Sequence, residues 1–210
     1  MDEAEWLKGT DPTPMLRFLE TGGGVSDRKL RLFAVACCRR VRSLMRAKES
    51  QNVLEATERF ADGLASREEF CEARLWMDEL DVEVMSDGRR VFAWATKPDE
   101  RPIRLAVEAA RYAGKAIGPH GNGQAVLSRL LRDIFGNPFQ TSVIDSNWLT
   151  HSVVTLAQSI YNERSFERLP LLGDALEAAG CDNSDMLSHC RTKTEHVKGC
   201  WVVDAFSGRA

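Results

Sequence analysis

The residues of this chain best able to do chemistry together lie near its C-terminal end: Cys181, the adjacent pair His189 and Cys190, then His196 and Cys200. Thiolate and imidazole are the donors that zinc prefers in a tetrahedral shell. Cys181, Cys190, His196 and Cys200 supply four, with His189 as the alternative to Cys190. Neighbouring helical residues diverge by about 100°, so only one of His189 and Cys190 faces a common centre. The set lacks a Cys-x-x-Cys knuckle. His196 and Cys200 form its one pair at a familiar interval, with Gly199 inside it. The competing reading makes the cysteines small buried hydrophobes and the histidines backbone caps.

A second candidate is basic. From Arg28 to Lys48 there are eight lysines and arginines and no acid, and Arg39, Arg42 and Arg46 are the candidate contact residues. A basic helix face can follow nucleic-acid phosphates, or it can pair with acidic neighbours such as Asp78, Glu79, Asp81 and Glu83. The acidic run itself lacks the spacing and central glycine of a calcium loop and reads as a solvated face. The catalytic inventory is thin. There is no phosphate loop, no His-Glu-x-x-His and no Gly-x-Ser-x-Gly elbow. His120, in the stretch Gly118 to Gly123, has no identifiable acid to orient it as a base.

The elements that must position these residues read as helices. Leu30, Phe33, Ala34, Cys37, Cys38, Val41, Leu44 and Met45 recur at three and four, which predicts one amphipathic helix from Ser26 or Asp27 to about Lys48. Both vicinal cysteines fall on its apolar side as core residues. Ser66 with Glu69 is a capping-box pattern, and Thr13-Pro14 reads as a helix start. Further helices are expected over 49–64, 66–85, 89–95, 103–117, 124–135, 152–162, 166–179 and 184–191. Residues 139–149 read as irregular, with Asp145 or Ser146 as a cap. Val197 to Val203 is the one stretch with strand character, and Trp201 to Phe206 can instead form a last helical turn. The fold class is all-α: an irregular array of about ten helices with no substantial sheet.

Composition agrees. The 210 residues are 43% hydrophobic and 28% charged, within the globular range, and the net charge of -3 offers no bulk attraction to nucleic acid or anionic lipid. No apolar run approaches the ~20 residues of a membrane span. The acidic N-terminus Met1-Asp2-Glu3 lacks the pattern of an export signal, so a cytoplasmic, reducing location is expected, with thiols rather than disulfides. The chain reads as a single helical domain over 1–210, with a subdivision into 1–118 and 123–210 allowed by the glycine-rich stretch between them.

Several long segments, Thr10-Asp11-Pro12-Thr13-Pro14-Met15-Leu16, Arg28 to Arg40 (RKLRLFAVACCRR), Leu130 to Phe139 (LLRDIFGNPF), and Ala179-Gly180-Cys181-Asp182-Asn183 followed by His189-Cys190-Arg191 and His196 to Asp204 (HVKGCWVVD), resemble a family of bacterial proteins of unknown function. That resemblance implies no activity, ligand or site residue. The functional expectation therefore rests on the residues alone. It is a non-enzymatic helical module for protein–protein interaction or scaffolding. The alternatives are a metal-dependent enzyme using the C-terminal Cys/His cluster and a nucleic-acid-binding regulator using the basic helix 28–48. A structural zinc is the one cofactor the sequence suggests.

Overall fold

A computed structural model describes residues 1–22, 25–41, 48–75, 86–98, 100–118, 122–140 and 143–209. Among these it holds twelve α-helices and no strand, the all-α array expected. No described helix is long and apolar enough to cross a membrane. The contacts divide the chain into two units, Met1–Leu131 and Arg132–Ala210.

The first unit contains α1 (Glu3–Lys8), α2 (Pro12–Gly22), α3 (Asp27–Arg39), α4 (Lys48–Ala61), α5 (Arg67–Ala73), α6 (Asp87–Ala95), α7 (Pro102–Ile117) and most of α8 (Gly123–Phe135). The capping box at Ser66 and Glu69 forms as expected. At α2 the start falls earlier than Thr13. Pro12 opens the helix, and the Asp11 carboxylate accepts from the Thr13 N–H, a stronger cap than a threonine. Helix α3 packs against α4, α6 and α7. Its buried face includes Leu30, Phe33, Ala34, Cys37 and Cys38, so both vicinal thiols are core. Arg40 closes α3 and Val41 is not helical, so the single helix expected to run to Lys48 ends at Arg39; 42–47 lie outside the described residues, and Lys48 opens α4. Most of the expected helix 66–85 beyond α5, including the acidic run, also lies outside them.

The second unit contains the end of α8 with α9 (His151–Glu163), α10 (Leu169–Ala178), α11 (Ser184–Arg191) and α12 (Trp201–Ser207). Residues 137–140 and 143–150 are irregular apart from a 3-10 turn at Ser146–Trp148, capped by Asp145. Thr150 caps α9 and Asn183 caps α11. Pro170 lies in the first turn of α10, where its missing N–H breaks no bond. Helix α9 packs on α10 and α12, and α10 packs on α11. Between them Ile160, Tyr161, Leu172, Leu176, Met186, Val203 and Phe206 form one apolar core. The segment with strand character is helical from Trp201 on. A strand without a partner would leave its backbone groups unpaired, and α12 pairs them internally.

Candidate metal centre

Three pieces of the second unit bring four side chains to one point. Asp133 comes from the last turn of α8, His189 from α11, and His196 and Cys200 from the link into α12. The link closes through a turn in which the Cys200 N–H donates to the Val197 carbonyl at 3.0 Å. Gly199 takes φ +91° there, a conformation open to glycine at little cost. The glycine that separates His196 from Cys200 is thus what folds the pair onto one centre. A second glycine, Gly136, ends α8 at φ +65°, with the Trp201 ring packed over it.

The donor atoms of the four residues lie within 4.8 Å of one another. His196 Nδ1 is 2.6 Å from Asp133 Oδ1. His189 Nε2 is 3.2 Å from the same oxygen and 3.2 Å from Cys200 Sγ. The other carboxylate oxygen, Oδ2, accepts the Val197 N–H at 2.9 Å. His196 Nε2 lies 3.4 Å from the Thr192 carbonyl, and the two imidazoles meet edge to face at 4.8 Å. Burial is deep: the Asp133 and His196 side chains are 6% and 4% exposed, and Cys200 is fully buried.

Electrostatics follow from this crowding. Burial works to raise the Asp133 carboxyl, but hydrogen bonds from His189 and His196, with their charge, outweigh it and hold the group below its usual value. Burial works to lower His196, and the hydrogen bond and charge of Asp133 with the Thr192 carbonyl reverse that and raise it. Burial, then the Asp133 charge, push the Cys200 thiol well above the normal range. The N–H groups of Val202 and Val203 work the other way, although no cap hydrogen bond closes on the Cys200 side chain.

What can such an arrangement do? A nucleophilic cysteine needs an imidazole whose two nitrogens face the thiol and the orienting acid separately. Here a single nitrogen, His189 Nε2, faces both, and it can carry at most one proton. One proton there can be shared by both neighbours, so the imidazole does not relay a proton from thiol to acid as the nucleophilic arrangement requires. Ligands around tetrahedral zinc are about 3.3–3.8 Å apart, given bonds of ~2.0–2.3 Å. The two 3.2 Å separations at Nε2 are close to that spacing, whereas His196 Nδ1 and Asp133 Oδ1, at 2.6 Å, stand at direct hydrogen-bond distance.

Of the candidate ligands from the sequence, His196 and Cys200 are in this group, and His189 takes the place that Cys190 was to fill. Cys190 turns to the apolar core, where burial pushes its thiol up to about 12 and its Cβ abuts Gly173. Cys181, beyond the left-handed Gly180 that follows α10, is also in that core. Neither belongs to the converging group. Asp133, absent from the candidate set, is its centre. One signal for it was present in the chain. A carboxylate in the last turn of a helix opposes the macrodipole and needs an outside cation or donor.

In the basic candidate, Arg39 is turned inward. Its Nε donates to Glu58 of α4 at 3.0 Å, and Arg28 pairs with Asp62 at 2.8 Å, each with a carboxylate side chain nearly fully buried. Arg31 reaches the Lys97 and Pro98 carbonyls and covers the Phe60 ring. Arg42 and Arg46 lie outside the described residues, as does His120. No family model, curated protein or solved structure matches this chain.

Proposed function

We propose that the unit over 132–210 holds one zinc ion through Asp133, His189, His196 and Cys200, and that the chain works as a non-enzymatic helical interaction module stapled by that ion. The carrying observation is the single nitrogen His189 Nε2 at 3.2 Å from both a thiol and a carboxylate oxygen. One ion held there would exchange those hydrogen bonds for bonds to all four donors. Four protein donors fill a tetrahedral shell, the pattern of structural sites, whereas catalytic zinc keeps a position for water. The raised thiol of buried Cys200 also argues against a free nucleophile. For the interaction role, Phe139, Val143 and Leu149 expose apolar side chains along the irregular segment of the same unit.

Cobalt(II) tests the site directly, because tetrahedral cobalt with a thiolate ligand shows intense visible and near-ultraviolet bands. The full-length protein is expected to develop both sets of bands with saturation at about one equivalent. Cys200→Ser is expected to lose the thiolate band, and Cys190→Ser to keep it. Weak octahedral absorption, or a thiolate band abolished by Cys190→Ser alone, would overturn the assignment.

A further inference from the structure

Outside the candidate centre, the helical hairpin of α6 and α7 carries a distinct surface. Between Asp87 and Ile117 there are seven basic and four acidic residues, against a chain that is acidic overall. On α7 the cations Arg104, Arg111 and Lys115 recur at the spacing that keeps them on one face. Two half-exposed rings are set among the cations of this hairpin. Trp94 has the Lys97 ammonium 4.8 Å and the Arg104 guanidinium 5.2 Å from its centroid. Tyr112 is approached by Arg90 from α6 at 5.5 Å, Arg111 at 5.3 Å and Lys115 at 5.6 Å.

Three acids temper this charge, Asp87 by pairing with Arg90 at 4.0 Å. Glu100 pairs with Lys97 and Arg104, and Glu108 pairs with Arg111, at 3.3–3.9 Å. The Lys115 ammonium meets the Tyr112 ring and makes no ion pair among the described residues. Surface pairs of this kind exchange readily, since each contributes little. Cations serve phosphates, whereas half-exposed rings and the outer planes of stacked guanidinium groups serve flat, unpaired bases. An acidic peptide would use the cations and leave the rings without a role. A duplex would hide its base faces.

We propose that the α6–α7 face binds single-stranded nucleic acid, with phosphates on Arg104, Arg111 and Lys115 and bases stacked at Trp94 and Tyr112. This inference is independent of the metal centre. Fluorescence anisotropy of a labelled oligouridylate of about ten nucleotides, titrated with full-length protein, tests it. Binding is expected to be of micromolar order at low salt. The triple variant Arg104→Gln/Arg111→Gln/Lys115→Gln, whose positions are largely solvent-facing, should weaken binding at least tenfold. It should also reduce the salt slope by about two. Trp94→Ala should cost roughly tenfold, with partial rescue in Trp94→Phe. No binding at low salt, equal binding by the triple variant, equal affinity for a duplex of the same length, or equally effective competition by polyglutamate would each overturn the proposal.

Discussion

Two of the places where this molecule buries ionisable groups do so differently. Between α3 and α4, Arg39 pairs with Glu58 and Arg28 with Asp62, so each buried carboxylate faces a permanent cation. Arginine never gives up its proton, so the charge of each pair is fixed, although the buried Arg39 Nη2 makes no hydrogen bond among the described residues. In the second unit, Asp133, two imidazoles and a thiol crowd within 4.8 Å. None of these groups carries a permanent positive charge, and one nitrogen is shared between two neighbours. Burial alone therefore does not mark a site. The mark is the convergence of four metal-ligating donors within 4.8 Å of one another.

Removing one partner at each place sharpens this contrast. The largest effect is expected from stripping metal from the second unit with a strong chelator. Leaving that cluster uncompensated should cost about 3–5 kcal/mol, read as a lower and broader thermal transition that re-added zinc restores. Glu58→Gln should cost less, about 2 kcal/mol, because Arg39 remains a quarter exposed and water can partly replace the lost carboxylate. The chelator should still lower its transition, because the substitution leaves the second unit's metal site intact. If the chelator moves the Glu58→Gln and wild-type transitions by nothing at all, the contrast fails.

Smaller still is Gly136→Ala. A Cβ there would stand 3.1 Å from Trp201 Cγ on a backbone at φ +65°, for a cost of about 1–2 kcal/mol by denaturant unfolding. The zinc affinity should fall with it, since the same segment carries Cys200. The mildest effect is that of pH. Folding raises the Cys200 thiol far above neutrality, so zinc must displace its proton on binding. Protons compete with the ion, and affinity is expected to weaken about tenfold for each pH unit lowered near neutrality, about 1.4 kcal/mol. Calorimetry in buffers of different ionisation enthalpy should register that proton release.

Much of the fold was legible because it rests on local rules. The three-and-four spacing of α3 and the Ser66–Glu69 capping box are both encoded within a few residues. The start of α2 was misplaced by two competing caps, and Asp11 prevailed over Thr13. The site was half legible. His196 and Cys200 were chosen by donor type and spacing, and the divergence of adjacent helical side chains required a choice between His189 and Cys190. Which of the two faces the centre depends on how α11 lies on α10, a tertiary fact. Asp133 was out of reach of spacing arguments, being 63 residues from its hydrogen-bond partner His196. Only its awkward place at the negative end of α8 hinted at it.

The most direct test of the central claim is zinc content by elemental analysis of the full-length protein, alongside Asp133→Asn and Cys190→Ala. About one zinc per chain is expected in the wild type and in Cys190→Ala, with the metal lost in Asp133→Asn. Zinc retained by Asp133→Asn and lost from Cys190→Ala, or no zinc bound by the wild type even when supplied, would contradict the assignment and leave the four residues as a buried hydrogen-bond network.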